Sequence, residues 1–513
     1  MTFKPQLRLH SLSWLFVLAN QLRSVILPLG AFLFFGVRNN PQLWGLVAIV
    51  PFVLGAAWQQ WTYRYGFGPR GLVIHDGLFF RNVRQIEYPR IENIDVERGV
   101  LHRLLGVAEV KIATSTGGKP EALIRVLGLD AVQELREQIF NRERPAEAVA
   151  ERQAPPVADE VLLHVPPSEL IRYGLIDNRG LIVVAAFFGY LFQEGMSAFT
   201  ERLIRTWVTD AHVTEFIALG IATQVAVVTS VIAIVVLALR LLSVVLALVT
   251  LHDFTLTRHQ HDFRIRHGLF TRVALNLRVR RIQSVHQTET LLHRLLHRVS
   301  LSVDLAGDSG VPEGGDTRSH TRTRWLAPIC SGEQAAALTA TALPDADLSQ
   351  PPDWQPLAPG ARTRLFRRSV YIVVLLCLLL TLILHLLPEA PLSPGPWILA
   401  IAAALITIAW FRAHIYVKNT RWALTRDVIL FRHGWLTRRL VVAPRNRLQS
   451  VKFSTSPFDR RYRMANVSLD TAGAGSLSTS IRIPLLPVKV ALRLANALYR
   501  SRVDAVSVRT FTA

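Results

Sequence analysis

The feature that most constrains this chain is a block of sequence that occurs three times. Residues 266–285 read RHGLFTRVALNLRVRRIQSV and residues 432–451 read RHGWLTRRLVVAPRNRLQSV, with glycine, apolar and arginine positions matching without a gap. A third copy starts at Gly77, and the shared glycine recurs after 191 and 166 residues (268 minus 77, and 434 minus 268). Copies of one unit predict an array of related modules, which we number 1 to 3.

Each module alternates apolar and polar residues with a period close to two, which is typical of half-buried antiparallel strands. In module 2, one face is predicted to hold Val273, Leu275, Leu277 and Val279, and the other Asn276, Arg278 and Arg280. Helical patterns follow at residues 130–140, 331–343 and 487–499. Several short strands and one helix predict a small curved sheet or barrel that is closed by an amphipathic helix.

The motifs RIENI, RIQSV and RLQSV, together with the following LHRLLG and LLHRLLH, carry a family resemblance. They resemble the bacterial pleckstrin-homology, membrane-flanked domain family, and the resemblance covers all three modules. It implies a pleckstrin-homology-like (PH-like) fold of two orthogonal sheets capped by a C-terminal helix, tethered at the cytoplasmic face. It does not imply an enzyme, and because such a fold hosts lipid, peptide and protein binding, function has to be argued from the site.

Six apolar runs predict six membrane helices in three hairpins, since each run lies near the length of about 17 to 25 residues that spans a bilayer. The runs are residues 14–35, 43–58, 180–192, 216–250, 370–387 and 397–411. We therefore expect an α+β membrane protein in which each hairpin precedes a cytoplasmic module. The expected order is hairpin 1–60, module 61–142, linker 143–170, hairpin 171–250, module 251–343, linker 344–363, hairpin 364–412 and module 413–513.

The distribution of basic residues predicts the orientation. The hairpin tip at residues 37–42 has one arginine and the tip at 388–396 has none, whereas arginines crowd the segments after each hairpin. The positive-inside rule then places the modules and both termini in the cytoplasm of a multi-pass inner (cytoplasmic) membrane protein. Arg23 and Arg240 fall within apolar runs, where they either snorkel to the interface or form a buried ion-pair or lipid site.

Composition narrows the partners. Lys and Arg number 58 against 37 acidic residues, so the net charge of +21 favours anionic membrane lipids or nucleic acid. Nucleic acid is disfavoured because arginines interleaved with stacking aromatics do not recur. No Walker loop, dinucleotide fingerprint or HExxH motif occurs in the sequence. The protease-like motif GDSGVP and the metal-site spacing of His293 and His297 each occur in one module and do not recur in the others. We expect no catalytic residue, no metal and no cofactor.

Two sets of arginines are the candidate functional residues. The candidate lipid-binding or partner-binding set lies in module 2 and consists of Arg264, Arg266, Arg272, Arg278 and Arg280. The second set occupies one repeated position and consists of Arg90, Arg281 and Arg447. A planar guanidinium can hold backbone carbonyls, a carboxylate or a phosphate, and for the repeated set we predict a structural role that staples neighbouring strands.

The sequence thus leaves two functions open. The first is a non-enzymatic inner-membrane protein whose modules bind each other, a protein partner or anionic headgroups, with a homo-oligomer among the expected assemblies. The alternative is a transporter or an envelope-defence component in which the helices act and the modules regulate. The transporter reading is weakened because its modules repeat in parallel, whereas many transporters are built from inverted repeats.

Overall fold

The computed structural model describes residues 7–8, 63–68, 71–76, 82–88, 91–114, 122–132, 134, 160–193, 218, 220–260, 262–306, 324–386, 396–471 and 481–498. The first predicted hairpin lies outside the described residues, as do Arg23, Gly77, Arg90 and the GDSGVP segment.

Module 1 consists of two antiparallel sheets, as the alternating pattern predicts. The first sheet has the order β1 (Leu7–Arg8), β2 (Arg64–Phe67), β3 (Gly71–Asp76) and β4 (Asn82–Glu87). The second contains β5 (Ile91–Arg98), β6 (Val107–Thr114) and β7 (Ala122–Gly128), with the short helix α1 (Val100–Leu104) between β5 and β6. Its core combines residues of both sheets, among them Leu72, Ile86, Ile91, Val110 and Leu127.

Module 2 repeats this plan around its own membrane segment. The first sheet contains β8 (Glu160–His164), then, after three helices, β9 (Thr255–His259), β10 (Asp262–His267) and β11 (Arg272–Arg278). The helices are α2 (Pro167–Ile176), α3 (Arg179–Gln193) and α4 (Ile221–Thr250). The second sheet contains β12 (Ile282–Glu289), β13 (Val299–Leu305) and β14 (Trp325–Cys330), with α5 (Leu291–Leu295) after β12.

The closing helix of module 2 is α6 (Gly332–Ala342), in agreement with the helical pattern at 331–343. Its N-terminus is a capping box, in which the Ser331 hydroxyl accepts from the Gln334 amide and the Gln334 side chain accepts from the Ser331 amide. Its buried face, Ala335, Leu338 and Ala342, belongs to the same core as the strands. The helix therefore plugs the open side of the sheets.

Module 3 follows the same order. Its first sheet contains β15 (Gln355–Pro356), then, after helices α7 (Ala361–Leu386) and α8 (Pro396–Asn419), β16 (Arg421–Leu424), β17 (Val428–His433) and β18 (Arg438–Pro444). Its second sheet contains β19 (Leu448–Ser454), β20 (Met464–Thr471) and β21 (Ile481–Pro487), with α9 (Pro457–Arg461) after β19. Helical residues at 488–498 close the module.

The predicted linkers need correction. Strand β8 and the start of α2 lie within 143–170, and β15 lies within 344–363. Both strands pair with the first sheet of the module that follows, β8 with β9 and β15 with β16, and β1 pairs likewise with β2. In modules 2 and 3 the membrane-capable helices are thus inserted inside a PH-like module, after its first strand. Two paired residues of β15 have no recognisable period, which is why the sequence did not reveal them.

Helices long and apolar enough to cross a membrane number three within the described residues: Ile221–Thr250, Ala361–Leu384 and Ile398–Asn419. The first 18 residues of α4 are almost all exposed, as expected for lipid contact, whereas Ser243 and Ala247 near its C-terminal end are buried against the protein. Helices α2 and α4 approach each other closely at a glycine. A Cβ on Gly174 of α2 would lie 2.5 Å from the Val244 Cα of α4, too close for a larger residue without a shift of the backbone. The full set of six spans stays a prediction.

Successive modules share sheets, which the repeat alone did not predict. One seven-stranded sheet has the order β7-β6-β5-β11-β10-β9-β8 and the other β14-β13-β12-β18-β17-β16-β15. In each, the first strand of one module's second sheet pairs antiparallel with the last strand of the next module's first sheet. We call β5–β11 junction 1 and β12–β18 junction 2.

Candidate functional site

The arginine face of module 2 is the outer face of its first sheet. Phe263 and Ile265 of β10 are buried in the core, and so Arg264 and Arg266 between and after them point to the opposite face. Antiparallel pairing sets Arg264 opposite Asn276 of β11. By the same alternation the face also carries Arg272 and Arg278, so that four of the five predicted arginines share it.

Arg278 and Arg280 differ from the expectation that both project from one strand. The strand ends at Arg278, which is half-buried and paired opposite Asp262. Arg280 is exposed but lies in a 3-10 turn, Val279–Arg281, that redirects the chain from the first sheet to the second. The predicted burial of Leu277 and Val279 is confirmed.

The turn between β10 and β11 lies against the end of membrane helix α4. The Leu269 amide donates to the Val249 carbonyl at 3.0 Å, and the His267 Nδ1 lies 2.9 Å from the Thr250 carbonyl oxygen. Gly268, at φ +109°, makes this turn, because a Cβ there would collide with the Thr271 carbonyl oxygen. Gly434 has the same role in module 3, which explains the repeated glycine.

This turn is close to the exposed apolar part of the helices. Helix α3 starts beside Ser243, whose hydroxyl accepts a hydrogen bond from the Gly180 amide at 2.9 Å. The next apolar side chains of α3, Leu181 and Ile182, are exposed. Six residues of α4 separate Ser243 from Val249, a rise of about 9 Å at about 1.5 Å per residue. Arg266 and Arg272, which flank the turn, therefore lie near the end of α4 that is packed against the start of α3.

The repeated arginines donate to backbone carbonyls where the structure describes them. Arg281 Nη2 donates to the Ala306 carbonyl at 2.7 Å, across the start of β12 and the end of β13. Arg447 of module 3 crosses junction 2 and donates to the carbonyls of Ile282 and Val279, the latter at 3.4 Å, and to Asp345 Oδ2 at 3.1 Å. A structural role stays our prediction, and these contacts support it.

Sequence reasoning missed two arginines that join modules. Arg103 Nη1 of α1 donates to the Leu269 carbonyl at 3.1 Å, and Arg294 Nη2 of α5 donates to the Leu436 carbonyl at 2.9 Å. Both side chains reach from one module's short helix to the hairpin turn of the next module. The two occupy the same place in the LHRLLG and LLHRLLH motifs, and that recurrence was the signal available.

Arg240 and Glu169 tie the membrane segment to module 2. Arg240 Nη1 donates to the carbonyls of Leu175 and Asp177 at the C-terminus of α2, at 3.1 and 3.2 Å, where a cation complements the helix dipole. Glu169 of α2 accepts a bidentate pair from Arg298 at 3.0 and 2.9 Å. Those hydrogen bonds hold the pKa of the Glu169 carboxyl below its usual range. Arg240 thus has a packing role within the described contacts.

A Ser-His-Asp cluster in module 2 does not have the geometry of a proton relay. The Ser284 hydroxyl and the Asp304 carboxylate both contact His286 Nε2, at 2.9 and 2.7 Å. A catalytic triad instead engages the two ring nitrogens of its histidine separately. The cluster is a closed hydrogen-bonded triangle on paired strands β12 and β13, so it assigns no reaction.

The His293/His297 pair does not form a metal site. His293 is buried in α5, where Nε2 lies 2.9 Å from the Ser300 hydroxyl and burial lowers the pKa to about 4. The helix ends at Leu295, and His297 follows in a left-handed turn at φ +52° with its side chain exposed. Among the described residues no group of three or more His, Cys, Asp or Glu side chains could hold a metal ion.

Comparison with known proteins agrees with the repeated architecture. A family model described as "Bacterial PH domain" matches residues 24–143, 213–340 and 371–502, which together exceed half of the chain. The UPF0699 transmembrane protein YdbT of Bacillus subtilis (strain 168) is 21% identical over 465 residues, covering 87% of this chain and 88% of the relative. No solved structure matches.

Proposed function

This chain belongs to the bacterial PH domain family, and from that premise we propose that it is a non-enzymatic protein that binds anionic headgroups or a protein partner through its modules. It is membrane-associated, as the transmembrane relative and the three membrane-capable helices indicate. In our proposal it spans the inner membrane several times, with three modules and both termini in the cytoplasm. The excess of 58 basic over 37 acidic residues supports that orientation.

The observation that carries the proposal is the outer face of β10 and β11. Four arginines share this face, and Arg266 and Arg272 flank a turn that is hydrogen-bonded to the last residues of α4. Each basic residue near an anionic leaflet contributes about 1 kcal/mol of attraction, so the cluster supports headgroup contact. The transporter alternative finds no such supporting observation, and we do not propose it.

The test uses the full-length protein in mild detergent and native mass spectrometry, with phosphatidylglycerol and phosphatidylcholine as probes. The wild-type chain should retain more phosphatidylglycerol, and added salt should reduce the retention. Arg266→Glu/Arg272→Glu should weaken phosphatidylglycerol binding by about 30-fold, because two attractions of about 1 kcal/mol each are lost.

The matched control reverses two exposed arginines of module 3, Arg426→Glu/Arg482→Glu, and so changes the net charge equally. It should leave phosphatidylglycerol binding within twofold of the wild type. Equal loss in both double variants would mean that only the total charge matters and would reject the arginine face as a lipid site. Unchanged binding in the module 2 variant would favour a protein partner at this face.

A further inference from the structure

Two strand edges remain at opposite ends of the module array. Strand β4 ends the first sheet of module 1, and β19 ends the second sheet of module 3. Among the described strands, β4 pairs only with β3, and β19 pairs only with β20. An open edge presents a row of backbone donors and acceptors that can pair with another chain.

Both existing junctions follow one rule that these two edges also fit. Junction 1 pairs Arg272 with Arg98 and Ala274 with Val96. Junction 2 pairs Arg438 with Glu289 and Leu440 with Gln287. Position by position in the repeat these are the same pairs, because 191 or 166 residues separate the equivalents. Strand β4 is the module 1 equivalent of β11 and β18, and β19 is the module 3 equivalent of β5 and β12.

The burial of equivalent residues shows what the free edge lacks. Ser284 of β12 is 2% exposed, and Val285, which pairs with Val442 at junction 2, is 1% exposed. Their equivalents in β19, Ser450 and Val451, are exposed and half-buried. Phe453 of β19 is 37% exposed, and Val83 on β4 is 61% exposed. An apolar side chain thus stands on each open edge.

The short-helix arginine that forms a hydrogen bond across both existing junctions also has an equivalent beside β19. Arg103 and Arg294 of the short helices donate to the hairpin turn of the following module. The equivalent in α9 is Arg460, whose exposed guanidinium makes no hydrogen bond or ion pair in the part of the chain that the structure describes. Module 3 therefore carries the strand, the apolar residue and the arginine of a junction.

We propose that β19 of one copy pairs with β4 of a second copy of this chain and forms a third junction in the register of the first two. The strand that pairs with each open edge comes from a second copy of this chain, because the chain carries both strands of such a junction, β4 and β19. A second copy therefore supplies a partner strand whose residues match the register of junctions 1 and 2 along its length. The register places Asn82 opposite Ser454, Val83 opposite Phe453 and Gln85 opposite Val451. A β-branched residue opposite an aromatic residue is a stabilising cross-strand pair.

The third junction joins two different edges, so the assembly is head-to-tail. Such a contact closes into a ring if its rotation allows and otherwise extends into a chain of copies.

The first experiment measures the mass of the full-length protein in mild detergent by native mass spectrometry. The wild type should show dimers or larger assemblies, and Val83→Asp or Phe453→Asp should each give monomers, with association weakened at least tenfold. A mixture of the two variants should restore one-to-one pairs, since each retains the edge that the other lacks. Leu104→Asp and Leu492→Asp, at exposed apolar positions away from the edges, are the controls and should assemble like the wild type.

The second experiment places the contact in native membranes. With Cys330→Ala and Cys377→Ala as background, addition of a mild thiol oxidant to isolated membranes should link Val83→Cys in one tagged copy to Phe453→Cys in a differently tagged copy by a disulfide. A chain that carries both cysteines serves as the comparison. If disulfides form only within that chain, or only with another protein, the second copy is not the partner of the open edges. If Val83→Asp and Phe453→Asp in the first experiment assemble like the wild type, the third junction does not form. Because Val83 and Phe453 lie outside the arginine face, phosphatidylglycerol binding should be unchanged, so either proposal can fail alone.

Discussion

The two junctions have one strand register but opposite chemistry on the outer face of the incoming sheet. At junction 2 that face is apolar: Val428 and Val442 are buried within the core of module 2, with Leu430 and Leu440 packed against it. At junction 1 the equivalent residues are Asp262, Asn276, Arg264 and Ala274, and none belongs to the core of module 1 within the described residues. Backbone pairing thus fixes how modules join, while the outer side chains decide whether the face is buried or left for a ligand.

This difference explains why the candidate lipid site occurs in module 2. The part of a sheet face that completes a neighbour's core stays apolar, as at Val428, Leu430 and Val442, because burying an unpaired ion costs several kcal/mol. At junction 1 the equivalent positions are released from that requirement, and Arg264 stands where module 3 has Leu430, whereas Arg266 and Arg272 have arginine equivalents in module 3. Junction 2 is accordingly the apolar joint of the array, and the face at junction 1 is the one on which we place the proposed binding site.

The largest expected effect comes from placing a charge at the apolar junction. Val442→Asp puts a carboxylate among Val428, Val285 and their neighbours, so we expect the free energy of unfolding to fall by about 3 kcal/mol or more. The matched variant is Asn276→Asp, at the equivalent position of junction 1, where a loss of less than about 1 kcal/mol is expected. Thermal unfolding of the full-length protein in detergent measures both. Equal losses would show that the outer faces do not differ.

An intermediate effect is expected from the arginine that crosses junction 2. Arg447→Ala leaves the Ile282 and Val279 carbonyls without their charged donor, and we expect a loss of about 2 kcal/mol. Hydrogen exchange should become faster in β12 and β18 together. Arg281→Ala removes a contact within module 2 and should leave exchange in β18 slow. Slow exchange in β18 of Arg447→Ala would contradict a role at the junction.

The smallest effect concerns pH. His433 of β17 is partly buried beside Arg439 and His286, and burial first, then those charges, lower the pKa to about 4. Between about pH 6.5 and about pH 4 this histidine is protonated in the unfolded chain but stays neutral in the folded chain. The free energy of unfolding therefore falls as the pH falls through that range. Allowing for partial exposure, His433→Gln should reduce that loss by about 1 to 2 kcal/mol. An unchanged pH profile of unfolding would contradict this assignment.

Much of the single module could be predicted from the sequence, because the determinants are local and repeated three times. Alternation placed Leu277 and Val279 in the core, the glycine at 268 marked a turn, and the pattern at 331–343 marked the closing helix. The arginine at 281 was recognised because it recurs. Each of these signals lies within about 80 to 90 residues of one PH-like unit and needs no knowledge of the neighbouring module.

What could not be predicted depends on contacts between modules. Pairing of β12 with β18 leaves no mark inside either strand, since a strand that reads as half-buried is compatible with an open or a covered edge. The two-residue strand β15 is too short to show a period. The contrast between Arg264 and Leu430 was visible in the repeat, but its meaning required the junction.

The central claim, that consecutive modules join through antiparallel strands in one register, is tested most directly by paired cysteines in the full-length chain in native membranes. Ala274→Cys with Val96→Cys tests junction 1, and Leu440→Cys with Gln287→Cys tests the equivalent pair of junction 2, both in the background of Cys330→Ala and Cys377→Ala. We predict that, when a mild thiol oxidant is added to the isolated membranes, a disulfide forms within the chain at both junctions, and that moving one cysteine by two residues along its strand greatly slows its formation. Disulfides that form equally well in the shifted pairs, or at neither junction in a folded protein, would contradict the account.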